Sequence, residues 1–124
     1  EIDMARILYV EDNEDNVYML KRWLTRKGYE VSIAVDGKAG VEMAKADNPD
    51  LILMDLNLPI MDGWEATSIL KEDEATKDIP IIALSAHAMM EHKQRALECG
   101  ADDYDTKPVD VERLLSKMSS FLEK

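Results

Sequence analysis

The most informative segment of this chain is Ile52-Leu53-Met54-Asp55-Leu56-Asn57-Leu58-Pro59. Residues 51–54 are all apolar, which is typical of a short strand that is buried on both faces. The run ends on Asp55, and an acid fits there only if it emerges at the end of the strand into a polar site. Pro59 and Asp62-Gly63 then predict a turn before a new helix. The segment therefore predicts a buried parallel strand that carries a carboxylate at its mouth.

The chain has the length and composition of one globular domain. Its 124 residues are 46% hydrophobic and 33% charged, so it can form a core and still be soluble. We expect a single domain over residues 1–124, in which residues 1–4 are a tag remnant or a linker because they do not begin with methionine. No apolar run has the length that a bilayer requires, and no signal pattern opens the chain. We therefore expect a cytoplasmic location and no insertion into a membrane.

Charge and cysteine content disfavour several classes of function. The formal net charge of −11 argues against direct binding of nucleic acid, because the phosphate backbone would be repelled. Cys99 is the only cysteine, which excludes a disulfide framework and favours a reducing compartment. His87 and His92 are five residues apart and Cys99 has no partner cysteine, so a zinc site is disfavoured as well.

The rest of the sequence alternates between strand and helix patterns. The predicted strands cover residues 7–10, 29–35, 51–54, 80–84 and 101–106, and the predicted helices begin near residues 14, 37, 64, 89 and 111. The last strand is short and polar, which favours an edge position. Alternation of this kind predicts an α/β fold, in which a doubly wound parallel sheet is covered by helices on both faces.

Polar groups follow four of the five predicted strands, and they are Glu11, Asp12, Asp55, Ser85 and Lys107. In an open parallel sheet the ligand crevice lies beyond the carboxyl ends of the strands, where the strand order reverses. In the order 2-1-3-4-5 the first and third strands are neighbours, so three carboxylates converge. The repulsion between two such negative charges costs about 4 kcal/mol at a separation of about 4 Å and an effective dielectric constant of about 20. One such acid alone is more simply explained as a solvated loop residue. Four strand ends with polar groups together predict a site, in which Lys107 and a divalent cation compensate the negative charge of the carboxylates.

The chemistry of these groups predicts an aspartyl-phosphate site. Ligands that are all oxygen favour Mg²⁺ or Mn²⁺ over zinc. An aspartate with a reference pKa of about 3.9 is ionised at neutral pH, so Asp55 needs no base to act as a nucleophile. Its natural target is a phosphoryl group, whose charge the cation and Lys107 would offset. The hydroxyl of Ser85 could donate to a phosphoryl oxygen.

These motifs resemble the receiver domain of bacterial two-component response regulators. The resemblance covers essentially the whole chain and is carried by Val10-Glu11-Asp12-Asn13, by residues 54–59 with Asp62-Gly63, by Ser85-Ala86 and by Lys107-Pro108. It implies a flavodoxin-like sheet of five parallel strands in the order 2-1-3-4-5. It also implies a signalling domain rather than an enzyme, one that catalyses its own phosphorylation and dephosphorylation.

The resemblance assigns the residues of the acidic site. It implies that Asp55 accepts a phosphoryl group from a histidine kinase or a histidine phosphotransfer protein. Glu11, Asp12 and Asp55 would hold Mg²⁺ together with the backbone carbonyl of Asn57. Lys107 would pair with the phosphoryl group, and the peptide bond before Pro108 would be cis.

The resemblance also implies a switch and a surface for partners. Ser85 stands at the switch hydroxyl, and Tyr104 matches the aromatic residue whose inward or outward rotamer reports its state. A downstream partner would bind the face of the fourth helix, fifth strand and fifth helix, where Met89-Met90 also lies, although such methionines are more often packing residues. Asn57 and His87 occupy positions that tune the lifetime of the phosphoryl group, and His87 is equally well an exposed loop histidine.

Other functions stay open at this point. A small phosphatase with an aspartate nucleophile needs a second carboxylate two residues later, where this chain has Asn57. A degenerate receiver that only binds proteins is disfavoured by the intact Asp55 and Lys107. A flavodoxin-like cofactor binder is disfavoured because no Gly-rich loop follows the first strand. The domain could stand alone or belong to a hybrid kinase or a longer regulator. Met19 and Trp23 on the first helix could anchor the kinase, although Trp23 more simply covers the sheet edge.

Overall fold

The described residues, 5–86 and 90–122 in a computed structural model, form a five-stranded parallel sheet and five helices. The elements in chain order are β1 (Arg6–Val10), α1 (Glu14–Arg26), β2 (Glu30–Ala34), α2 (Gly37–Asp47), β3 (Leu51–Asp55), α3 (Gly63–Glu72), β4 (Ile81–Ser85), α4 (Met90–Glu98), β5 (Asp103–Thr106) and α5 (Val111–Leu122). The strands pair in the order β2-β1-β3-β4-β5, so the predicted fold class and strand order are confirmed. None of the helices in these residues combines the length and apolarity of a membrane span.

Side chains alternate between the two faces of the central strands and form a core on each face. On one face, Leu51 and Leu53 of β3 belong to a cluster with the buried residues of α1 and α5. On the other face, Ile52 and Met54 belong to a cluster with residues of α2 and α3. Because β3 is buried on both sides, its acidic end can reach water only at the carboxyl edge of the sheet.

Capping residues end three of the five loops that lead from this edge into helices. The side chain of Asn13 accepts a hydrogen bond from the backbone N–H of Asn16 at 3.0 Å, and Asp36 accepts one from Ala39 at 2.7 Å. Asp62 caps α3 in the same way. Side-chain caps of this kind satisfy backbone donors that a helix leaves free. They fix the places where the chain leaves the carboxyl edge of the sheet.

The loop between β3 and α3 is packed closely against backbone at two glycines. A Cβ atom at Gly63 would collide with the carbonyl oxygen of Asp55, and one at Gly37 would collide with the carbonyl oxygen of Met61. Only glycine allows backbone segments to approach this closely. The loop is therefore held at both ends, next to Asp55 and next to the start of α2.

Within this loop, Ile60 has a backbone conformation that is unfavourable for a β-branched residue. Its φ is 67°, and the N–H of Met61 donates to the carbonyl oxygen of Pro59 at 2.7 Å. These features describe a γ-turn centred on Ile60, a strained form of turn. The side chain of Ile60 is 80% exposed, so little packing offsets the strain.

Replacement of Ile60 by Gly is expected to raise the free energy of unfolding by about 1 kcal/mol. Relief of the backbone strain is worth about 1–3 kcal/mol, and the added freedom of glycine in the unfolded chain costs about 0.5–1 kcal/mol. Urea unfolding followed by circular dichroism measures the difference. Ile60→Ala is the matched control, because it removes the exposed side chain but keeps the strain. Equal stability of the two variants would contradict this account of the turn.

Candidate functional site

Three acidic side chains meet at the carboxyl edge of the sheet, where β1 and β3 are neighbours. Glu11 and Asp55 are 1% and 3% exposed, whereas Asp12 is exposed to solvent. One carboxylate oxygen from each of the three lies within 4.8 Å of the others. The register Val10↔Met54 accounts for this, because each strand continues directly into its acid.

Lys107 bridges the two buried carboxylates. Its Nζ lies 2.6 Å from Oε1 of Glu11 and 3.2 Å from Oδ1 of Asp55. The backbone N–H of Lys107 donates to the carbonyl oxygen of Ser85 at 2.7 Å, which ties the end of β5 to the end of β4. The positive charge expected at the site is therefore placed between the two buried negative charges.

The pKa values of the two buried acids shift in opposite directions. Burial and the charge of Glu11 raise the pKa of Asp55 to about 6, against the opposing charge of Lys107. Burial acts to raise the pKa of Glu11 too, but the hydrogen bond and the charge of Lys107 hold that pKa below its usual value. Of the two acids, Asp55 is therefore the one that takes up a proton first as the pH falls. At neutral pH Asp55 is mostly ionised, although its pKa lies well above the usual value of about 3.9 for an aspartate.

Two further groups hold the carboxylate of Glu11. The hydroxyl of Tyr9 donates to Oε1 at 3.1 Å, and the backbone N–H of Asn13 donates to Oε2 at 3.2 Å. The apolar run of residues 7–10 predicts only a strand position for Tyr9. Its signal was available, because residues two apart on a strand share a face and Tyr9 lies two residues before Glu11.

The remaining candidate residues lie around this centre. The backbone N–H of Asn57 donates to Oδ1 of Asp55 at 3.3 Å, and the side chain of Asn57 is exposed. Ser85 is the last residue of β4 and is buried. The peptide bond between Lys107 and Pro108 is cis. His87 and Met89 lie outside the described residues, as does the side chain of Met90.

Tyr104 lies on the opposite side of β5 from the charged groups that face α5. Its side chain is buried and packs in a cluster with Leu56, Ala83 and Ala96. Of the two rotamers that the resemblance implies, this structure therefore has the inward one.

Two tryptophans border the site on different sides. Trp64 follows the cap of α3, and the guanidinium carbon of Arg95 lies 4.3 Å from its ring centroid, a cation–π contact between α3 and α4. Trp23 on α1 is 43% exposed and lies beside the exposed Tyr18 and Met19. Trp23 lines a pocket together with Lys107 and Pro108 and presents part of its ring to solvent.

The donor set fits a hard divalent cation. It consists of carboxylate oxygens, two of which are buried and one of which, on Asp12, opens to water. The raised pKa of Asp55 shows that the acids repel one another, a repulsion that a cation would relieve. Mg²⁺ prefers few carboxylates and keeps several of its own waters, which suits a site with one open side.

A 2-1-3-4-5 parallel sheet that gathers three acids and a lysine at its carboxyl edge defines a class, the phosphoacceptor domains of two-component signalling. The family model for the response regulator receiver domain matches residues 7–119. This chain belongs to that family, and the resemblance stated from its motifs is confirmed.

Similar proteins and structures agree with this assignment. The response regulator PleD of Caulobacter vibrioides is 42% identical over 94% of this chain, but the chain spans only 26% of PleD. The polar-differentiation response regulator DivK of Brucella ovis is 37% identical, with 94% of each chain covered. The receiver domain of the sensor histidine kinase PA1611 from Pseudomonas aeruginosa, with a magnesium ion in its active site cleft, is 34% identical with a TM-score of 0.91, covering 98% of this chain and all of that one.

Proposed function

We propose that Asp55 is the phosphoacceptor and that Glu11, Asp12 and Asp55, with the backbone carbonyl of Asn57, hold Mg²⁺. The observation that carries the proposal is the convergence of three carboxylate oxygens within 4.8 Å beside the ammonium group of Lys107. The bound magnesium ion in the similar PA1611 receiver domain supports the choice of metal. Mn²⁺ has the same preference for oxygen ligands and is the expected substitute.

The reaction is a phosphoryl transfer in which no separate base is required. A carboxylate oxygen of Asp55 attacks phosphorus, and the bond from phosphorus to the imidazole nitrogen of the donor histidine breaks. The electron pair of that bond returns to the imidazole, which takes a proton from water. When bound, the cation offsets charge on the phosphoryl oxygens. Lys107 supplies the second positive charge, and attack by water on the same phosphorus later reverses the modification.

The proposed output is a change in the surface around Ser85 and Tyr104. The phosphoryl group adds acceptor oxygens, to which the hydroxyl of Ser85 donates. In this scheme phosphorylation stabilises the inward position of Tyr104, in which its ring packs against the cluster with Leu56, Ala83 and Ala96. The face formed by α4, β5 and α5 is then the surface for a downstream partner, and Asn57 and His87 set the lifetime of the phosphoryl group.

The proposed phosphodonor is a histidine kinase or a histidine phosphotransfer protein. Its docking surface includes α1, because Met19 and Trp23 present apolar surface there, next to Lys107-Pro108. We expect the domain to act in the cytoplasm, in keeping with the free thiol of Cys99. The domain is a signalling domain that we propose also catalyses its own phosphorylation and dephosphorylation.

Incubation with acetyl phosphate, with and without Mg²⁺, tests the proposal by intact-mass measurement. We expect one phosphoryl group per chain, formed only with Mg²⁺, stable in acid and labile in base. Absence of an adduct in the presence of Mg²⁺ would instead favour a degenerate receiver. Steady hydrolysis of varied organic phosphates at high turnover would favour the small phosphatase.

Binding of Mg²⁺ is expected to quench the fluorescence of Trp64. Trp64 begins α3 directly after the loop that leaves Asp55, so its surroundings respond to the charge of the site. The Trp23→Phe variant leaves Trp64 as the only tryptophan in the chain. A titration in that variant should saturate, and thermal unfolding should shift upward by an amount equivalent to about 2.7 kcal/mol at 100 times the dissociation constant.

Asp12→Asn is the control for this titration. It removes one of three carboxylates at an exposed position, so we expect the dissociation constant of Mg²⁺ to rise at least about tenfold. Quenching that is identical in the two proteins would show that the ion binds elsewhere.

A further inference from the structure

The hydroxyl of Tyr9 is a polar group inside the core that no part of the mechanism above uses. Tyr9 is 1% exposed, and its ring packs in the cluster between the sheet, α1 and α5. A buried phenol requires a hydrogen-bond partner, and the hydroxyl of Tyr9 donates to Oε1 of Glu11 at 3.1 Å. The hydroxyl of Tyr9 is therefore a direct contact between the core of the domain and the acidic site.

Oε1 of Glu11 receives two donors of different kinds. Lys107 donates at 2.6 Å from the end of a flexible side chain, whereas Tyr9 donates from a ring that the core holds in place. Lys107 also contacts Asp55, at 3.2 Å. The other oxygen of Glu11 accepts from the backbone N–H of Asn13 at the cap of α1. Of these donors, Lys107 is therefore the one that can move toward Asp55 without a change in the backbone.

Phosphorylation would draw Lys107 away from Glu11. This step rests on the proposed function, in which Lys107 pairs with the phosphoryl group on Asp55. Oε1 of Glu11 would then lose its shortest hydrogen bond and keep, of its two donors, only the hydroxyl of Tyr9 while the carboxylate holds the cation. The hydroxyl of Tyr9 stays in place. A phenol keeps its proton at neutral pH, so the hydroxyl remains a donor.

We propose that Tyr9 is a positioning residue, whose hydroxyl holds Oε1 of Glu11 while Lys107 turns from Glu11 to the phosphoryl group on Asp55. Tyr9 favours the phosphorylated arrangement over the unphosphorylated one, because its hydroxyl is the donor that remains on Oε1 of Glu11 after Lys107 has left. A phenylalanine at this position would fill the same space and leave Glu11 dependent on Lys107.

The Tyr9→Phe variant tests the proposal through binding constants and stability. The probes are Mg²⁺ alone and Mg²⁺ with beryllofluoride, a stable mimic of the phosphoryl group on an aspartate. We expect the apparent dissociation constant of beryllofluoride to rise about ten- to thirtyfold, which is the lower part of the range for one hydrogen bond to a charged group. The dissociation constant of Mg²⁺ should change less than about threefold, since the three carboxylates remain.

A merely structural role for the hydroxyl would give a different result. The metal-free protein would then lose stability, and beryllofluoride would bind to the folded variant as it binds to wild type. That result, or loss of the fold in the metal-free variant, would overturn the proposal, because Lys107 already satisfies Oε1 in that state. Tyr18→Phe is the matched control, as it removes the same atom from an exposed ring. If wild type itself binds no beryllofluoride with Mg²⁺, it is the proposed function that fails.

Discussion

Replacement of Lys107 by Met is expected to lower the free energy of unfolding of the metal-free protein by about 3–5 kcal/mol. The variant keeps the length of the side chain but leaves Glu11 and Asp55 facing each other without a positive charge. Both acids are almost completely buried, so solvent screens their repulsion poorly. The variant should also take up the phosphoryl group from acetyl phosphate far more slowly, because the charge that offsets the phosphoryl oxygens is gone.

Urea unfolding in the presence of a chelator measures the loss of stability. Lys77→Met is the control, since Lys77 forms an exposed ion pair with Glu74 that should contribute about 0–1 kcal/mol. The deficit of Lys107→Met should shrink toward pH 5, where Asp55 takes up a proton and the repulsion falls. A variant as stable as wild type at pH 7 would show that Lys107 does not compensate the buried acids.

Replacement of Asp55 by Asn is expected to abolish uptake of the phosphoryl group and to increase the stability of the metal-free protein. Uptake of a phosphoryl group should be abolished, because an amide has no nucleophilic carboxylate oxygen. The metal-free protein should nevertheless become more stable at pH 7, by up to about 3 kcal/mol. The reason is that burial and the charge of Glu11 raise the pKa of Asp55 from 3.8 to about 6, so ionised Asp55 opposes folding.

The gain in stability of Asp55→Asn should depend on pH, because Asp55 releases its proton at different pH values in the folded protein and in the unfolded chain. The folded protein holds a proton on Asp55 up to about pH 6, whereas the unfolded chain releases it near 3.8. The free energy of unfolding of wild type therefore falls as the pH rises from about 3.8 to about 6. Asp55→Asn lacks this titrating group, so its stability does not fall for this reason. Urea unfolding with a chelator at pH 4, 5, 6 and 7 should show curves that coincide at pH 4 and diverge above it.

Two comparisons make the Asp55→Asn result specific. Asp78→Asn removes an exposed carboxylate and should leave both the stability and the phosphoryl uptake of wild type unchanged. Saturating Mg²⁺ should stabilise wild type more than Asp55→Asn, which lacks one of the three ligands. Phosphoryl uptake that persists in Asp55→Asn would place the acceptor on another residue.

The elements of this fold are predictable from the sequence because their signals are local. Parallel strands buried on both faces leave continuous apolar runs such as residues 51–54, and the cap at Asn13 is visible as a residue type. The meeting of Glu11, Asp12 and Asp55 follows from the strand order together with the rule that strands end at one edge.

Other features of the site depend on geometry that no local pattern contains. The raised pKa of Asp55 results from its burial beside Glu11, and the bond from Tyr9 depends on where a ring in an apolar strand points. The γ-turn at Ile60 arises because the surrounding backbone contacts fix the loop. The roles of Asn57 and His87 in the lifetime of the phosphoryl group stay predictions.

The ion pair between Glu11 and Lys107 joins residues that are 96 positions apart in the chain. Glu11 and Asp55 are therefore synthesised before Lys107, the residue that balances their charge. A chain that is arrested or cleaved before β5 consequently carries the acceptor aspartate but lacks the cation-bearing strand end beside it. In the proposed mechanism, uptake of the phosphoryl group therefore requires that the chain has been made at least as far as Lys107.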